Sequence, residues 1–464
     1  MPDPENPVEL SVHALGDALR SRALSSTHLV ESLLARIRER EPKLHAFVEV
    51  YADDALQAAR AADKASSAGQ PMGPLHGIPV AIKDIIDIEG RITTRGSAAI
   101  QRRATTTASV VDRLTAAGMI VIGKTHTVEF AMGGWGTNQH MGTPWNPWDL
   151  ETARTPGGSS SGSAVAVASR MVPCAIGSDT GGSLRLPASW CGIVGFKSTV
   201  GRISTRGVLP LSTTLDSVGP LTRSVEDAAL LFDVMKEPRT QSDARSAGGA
   251  NSVCAGLKQG IAGMRIATLA EQDRRGIDPE VLDAYDQSIE IVQRLGASIV
   301  QLPLPRSFSD FARLVGEIMV PEGYAAVAEY VDDLALPLDD AVRARLLPGR
   351  DVSAATYLRS LAVRADVKEA FAVALSQVDA MLTPTTVTPA IALAAVDQMK
   401  APSLFTRMAN YLDLCALAIP NGITRGGLPT SLQLMCKSRD EATLLRIGWA
   451  IEQSTPWHRH APAP

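Results

Sequence analysis

Gly157-Gly158-Ser159-Ser160-Ser161-Gly162-Ser163 and, after an apolar segment, Gly177-Ser178-Asp179-Thr180-Gly181-Gly182-Ser183 form two glycine–serine clusters, with Ser159 and Ser183 24 residues apart. Upstream, the run Gly77-Ile78-Pro79-Val80-Ala81-Ile82 closes on Lys83-Asp84. Glycine lets the backbone turn where a Cβ would clash, and so presents N–H groups to an anion or a carbonyl oxygen. Serine supplies hydroxyls, and a lysine buried at a strand end can supply a base. These are the parts of a hydrolase that needs no histidine.

The texture around the clusters is that of an α/β protein. Residues 78–82 and 119–122 read as short buried strands, with a helix over 106–117 between them. A small-residue helix over 163–169 precedes a strand at 172–176, which runs into the second cluster. Toward the start, Ser25-Ser26-Thr27 offers an N-cap, and Leu29, Val30, Leu33, Leu34 and Ile37 recur at helical spacing. A second helix follows over 53–68. Further on come strands at 265–269 and 298–302 flanking a helix at 279–295, then a mainly helical stretch at 308–377. Strands at 380–382 and 430–435 and a helix at 441–453 close the chain. Such alternation predicts a largely buried sheet layered with helices. Strand texture lies on both sides of a polar, small-residue connection at 237–261, so one large domain over 1–464 is expected rather than two. Residues 133–162 lack periodicity, and a loop that long in a compact domain is more often functional than idle.

Bulk properties narrow the class. The 464 residues are 45% hydrophobic and 20% charged with a net charge of −4, which gives no reason to expect nucleic acid or an anionic membrane as partner. The five cysteines are widely spaced without metal-ligand patterns, and read as free thiols of a reducing compartment. The N-terminus is acidic and proline-broken, unlike a signal peptide, and no apolar run approaches the roughly 20 residues that span a bilayer. A cytoplasmic location is expected.

Lys83 alone would read as a strand-end residue reaching for solvent. The paired clusters change that reading. An ordinary lysine titrates at about 10.4 and is a poor base, but desolvation among neutral hydroxyls favours the neutral amine. A neutral lysine can take a proton from serine. Ser183 is the better nucleophile candidate, because successive N–H groups of the Thr180-Gly181-Gly182 turn can converge on one oxygen. Phosphate binding at the first cluster is disfavoured, since no Gly-Lys-[Ser/Thr] follows and G-x-G-x-x-G is absent. None of the eight histidines sits within either cluster, although His126 and His140 could approach in space.

At these residues the chain resembles the amidase signature family, which carries a G-G-S-S-[GS]-G-S segment, a G-[ST]-D-x-G-G-S segment and an upstream strand ending in lysine. Gly73-Pro74-Leu75-His76-Gly77-Ile78-Pro79, Arg185-Leu186-Pro187-Ala188 and Gly192-Ile193-Val194-Gly195-Phe196-Lys197 match as well, and the strongest likeness covers 73–235. Ser161 replaces a glycine common at its position, and Ser431 and Cys436 sit where glycine is frequent.

The resemblance implies a mixed sheet of about eleven strands sandwiched between helices, and a catalytic set of Lys83, Ser159 and Ser183. It implies that Ser159 follows a cis peptide and relays protons, that Thr180, Gly181, Gly182 and Ser183 donate N–H groups to an oxyanion, and that Asp179 and Arg185 order the site. An acyl-enzyme on Ser183 would follow, with no cofactor and no metal. Met132, Gly133, Gly134 and Trp135, with the helical stretch after 308, are expected to bind substrate, with Tyr324 or Tyr357 facing the acyl group. An apolar wall there favours aryl or alkyl amides, anilides or carbamates. The expected partner is this small-molecule amide, with no nucleic acid or membrane, and with a homodimer left open. The alternative is the A-type glutaminase subunit of a tRNA-dependent amidotransferase.

Overall fold

The computed structural model describes residues 6–70, 72–237 and 252–463. Most of the polar connection expected at 237–261 lies outside the described residues. The strands are β1 (Phe47–Val50), β2 (Pro79–Lys83), β3 (Ile92–Thr93), β4 (Arg102–Arg103), β5 (Ile120–Thr125), β6 (Cys174–Asp179) and β7 (Val194–Lys197). They continue with β8 (Ser217–Thr222), β9 (Arg265–Thr268), β10 (Ser298–Gln301), β11 (Ala380–Pro384), β12 (Cys415–Ile423) and β13 (Pro429–Cys436). Eleven of them form one sheet in the order β1-β5-β2-β6-β8-β7-β12-β13-β11-β9-β10, while β3 and β4 pair separately.

The sheet is mixed. β2 runs parallel to both β5 and β6, and β6 then pairs antiparallel with β8. β7, β12, β13 and β11 continue antiparallel, and β9 and β10 return to parallel pairing. Every residue of β2 and β6 is buried, the pattern of central strands covered on both faces rather than of an alternating surface strand. Helices flank the sheet: Ser161–Ala168 packs on β2, β5, β6 and β8, whereas Val225–Met235 and Glu441–Gln453 pack on β8 and β12, respectively.

Local chemistry explains the helix starts. Ser25 accepts a hydrogen bond from the His28 N–H and caps the helix Ser26–Leu44, which runs on past the last of the periodic residues. The helix Ser161–Ala168 is small and apolar all round because every side is enclosed. A Cβ on Gly162 would meet the Ala46 carbonyl oxygen at 2.2 Å and the His126 nitrogen at 2.5 Å, so this helix sits close to the β1 and β5 ends only with glycine there. Among the described residues, no helix is long and apolar enough to cross a membrane.

Candidate active site

β2, the start of the helix Ser161–Ala168 and the end of β6 bring the two clusters together around Lys83. This lysine is fully buried, and its Nζ donates to Ser159 Oγ at 2.6 Å, Ser178 Oγ at 2.9 Å and Ser160 Oγ at 3.1 Å. Burial pulls its pKa down to about 7, against the opposing pull of Asp216 and Asp179. The Gly158–Ser159 peptide is cis, and the Ser159 carbonyl accepts from the Val128 N–H and the Thr127 hydroxyl.

Ser183 is 8% exposed and lines a cavity of about 220 Å³. Among the described residues its hydroxyl is not hydrogen-bonded to Ser159, so the direct contact at rest is between Lys83 and Ser159. Thr180, Gly181 and Ser183 all border the cavity. Gly182 corrects the expected donor set. Its N–H is donated to Asp179 Oδ1 at 2.8 Å, because the turn folds back over that carboxylate. The Gly182 φ of +133° and a built Cβ only 2.4 Å from Thr406 Oγ1 leave glycine as the residue that fits.

Asp179 and Arg185 hold this turn. The Arg185 guanidinium donates to both carboxylate oxygens, at 2.9 and 3.0 Å, and both side chains are wholly buried. Leu184 N–H and Asn410 Nδ2 donate to the same carboxylate. Burial opposes charge on Asp179, yet the Arg185 and Lys197 cations and Asn410 outweigh it and hold the carboxyl well below its usual range. Arg185 also reaches Gln433 Oε1 and the Thr406 carbonyl, which ties the turn to β13 and to the segment before the helix Arg407–Tyr411.

Met132, Gly133, Gly134 and Trp135 line the same cavity, joined by Met319 and Val320 of the helix Asp310–Val331. Trp135 stacks on Trp190 with ring centroids 5.3 Å apart and donates to the Lys400 carbonyl. Tyr324 and Tyr357 do not line the cavity. They are turned to Asp332 and Glu322, respectively. His126 is also elsewhere, stacked on His45 and pulled down to about 3 by burial.

Four residues around the site carry no local motif. Asp216 accepts from the Thr180 hydroxyl and from the Leu211 and Ser212 N–H groups, and burial raises it to about 6. Arg345 donates to the Met132 carbonyl and to Gln398 Oε1, and Arg407 borders Gly181. Only tertiary packing brings them here.

A fully buried lysine among serine hydroxyls thus lies beside a glycine turn and a cavity with no histidine among its described lining residues. The sequence model of the Amidase family matches residues 28–445, and the chain belongs to the amidase signature family. It is a hydrolase of carbon–nitrogen bonds. The A subunit of glutamyl-tRNA(Gln) amidotransferase from Geobacter metallireducens is 35% identical over 480 residues, covering 97% of this chain and 98% of its own. A chain from a vestigial protein complex that reveals the origins of an s-triazine catabolic enzyme superposes with a TM-score of 0.87 at 29% identity, over 96% of this chain and 98% of its own. The peptide amidase of Stenotrophomonas maltophilia superposes with a TM-score of 0.82 at 30% identity, over 98% of each chain.

Proposed function

We propose that the chain hydrolyses the C–N bond of a small amide, with Ser183 as nucleophile, Ser159 as proton shuttle and Lys83 as base. The observation that carries this reading is the set of three serine hydroxyls on a wholly buried lysine whose pKa is pulled down to about 7. The charged lysine donates to all three hydroxyls; once neutral it keeps two N–H donors and one lone pair, so one hydroxyl turns to give a proton and two go on accepting. The shortest contact, 2.6 Å to Ser159 Oγ, is the natural point of proton acceptance.

As the Ser183 oxygen attacks the carbonyl carbon, its proton passes to Ser159, and the Ser159 proton passes to Lys83. The oxyanion meets N–H groups of Thr180, Gly181 and Ser183, each such donor being worth about 2.7–4 kcal/mol in sites of this kind. Returning through Ser159, the proton reaches the leaving nitrogen as the C–N bond breaks. Water then attacks the acyl group on Ser183 by the same relay, releasing the acid and restoring the serine. The resting gap between Ser183 and Ser159 closes with substrate bound, as catalytic hydrogen bonds often do.

Two readings of the substrate have support. Similarity favours a glutaminase that hands ammonia to a partner protein, because relatives matched over nearly the whole chain carry an amidotransferase name. It supports this reading more than the stand-alone amidase expected from the motifs. The apolar wall of Met132, Trp135, Leu186 and Met319 instead suits an aryl or alkyl amide. Ammonia and amine release by the purified chain, with a primary amide, glutamine, an anilide and an aryl carbamate, separates them. Glutamine turnover that rises with a co-purifying partner selects the first reading. Autonomous turnover of another amide selects the second, and a Ser183→Ala protein that still turns over sinks the mechanism.

A further inference from the structure

The cavity is cationic as well as apolar. Arg345, Lys400 and Arg407 border it, and none of its described lining residues is an aspartate or glutamate. Two of these cations are engaged. Lys400 pairs with Asp397, and Arg345 spends both terminal nitrogens on the Met132 carbonyl and Gln398. Arg407 is different. Among the described residues its one side-chain hydrogen bond goes from Nη1 to the Ala312 carbonyl at 3.1 Å, and it forms no ion pair. It is half-buried, and burial lowers its pKa to about 10 with no carboxylate offsetting the effect.

Its place gives this cation a purpose. Arg407 opens the helix Arg407–Tyr411 directly after Thr406, whose hydroxyl holds the Gly181 carbonyl at 2.7 Å. A Cβ built on Gly181 would lie 3.7 Å from Arg407 Cγ and 4.0 Å from Nε. The guanidinium therefore leans on the same turn that carries Ser183. Its Nε and Nη2 donate to no described residue, and these N–H groups, on the cavity that Ser183 also lines, match a planar anion.

We infer that Arg407 is a specificity-determining residue that binds a carboxylate on the acyl group, so that the substrate is the half-amide of a dicarboxylic acid. The inference rests on the amide-hydrolase reading above. It also sets the acyl group apart from an amino acid, because an α-ammonium would enter a cation-lined cavity without an acidic side chain to receive it.

Three amides of one chain length test this. Pentanamide has neither charge, glutaramate adds the carboxylate, and glutamine adds an ammonium to glutaramate. With the full-length protein, kcat/KM for glutaramate should exceed that for pentanamide by about 10-fold to 100-fold, the worth of one hydrogen-bonded charge. Glutamine should fall back below glutaramate. In Arg407→Gln the glutaramate-to-pentanamide ratio should collapse toward 1 through KM, and Arg407→Lys should restore part of it. Pentanamide turned over as well as glutaramate by the unaltered protein overturns the inference while leaving an amidase. Glutamine preferred to glutaramate overturns the exclusion of the ammonium and favours the amidotransferase reading. Should none of the three be hydrolysed, calorimetry with glutarate decides: binding that Arg407→Gln abolishes upholds the inference, and no binding by the unaltered protein overturns it. Unchanged circular dichroism in both variants separates lost recognition from lost folding.

Discussion

A kcat/KM profile between about pH 6 and pH 10 tests the proposal that Lys83 is the base, because it reports the protonation of the free enzyme's essential base. Burial sets that pKa at about 7 in the folded protein. The neutral fraction is then about 9% at pH 6, about 50% at pH 7 and about 91% at pH 8, so the rate should climb about tenfold between pH 6 and 8 and then level off. A lysine of ordinary pKa, about 10.4, would instead give a rise of about tenfold per pH unit through pH 9. Asp216 supplies an internal control. Its carboxylate raises the pKa of Lys83, so Asp216→Asn should move the rise to lower pH without abolishing it. Single-turnover rates on an ester and an amide of the same acyl group ensure that chemistry is observed rather than product release. A profile flat from pH 6 to 9, or a rise that continues past pH 9, would refute Lys83 as a desolvated base.

Two further predictions concern the scaffold of the site. Asp179→Asn leaves the wholly buried Arg185 without its counter-charge and should cost about 3–5 kcal/mol in urea denaturation, a loss under about 1 kcal/mol contradicting the ordering role. Gly162→Ala drives a methyl to 2.2 Å from the Ala46 carbonyl oxygen and should lower stability by about 1–3 kcal/mol, whereas an unchanged melting temperature would mean that the helix start can move.

Much of this site is legible in the chain because its chemistry sits in two short clusters. Lys83 ends a buried parallel strand, and the clusters flank the helix and strand that carry them to it. The alternation of strands with helices likewise predicts the layered sheet. Strands β7, β8 and β12 are harder to read. β8 carries Gly219 and Pro220, and β12 carries Pro420 and Gly422 at a register shift, residues that punctuate turns in an isolated sequence. Met132 to Trp135 are recognisable from their unperiodic loop. Arg345, Gln398 and Arg407 are not, because each reaches the cavity from an element more than 150 residues beyond Ser183 and is placed only by packing. The Gly182 N–H shows the same limit at short range, where a neighbouring carboxylate claims a donor that the motif alone would leave free.

Acylation of Ser183 is read out by labelling with a serine-directed fluorophosphonate followed by peptide mass mapping. One adduct per chain should appear on the peptide that contains Ser183, lost in Ser183→Ala and slowed in Lys83→Met. An adduct that persists in Ser183→Ala, or amide turnover by a protein that takes no label, would contradict it.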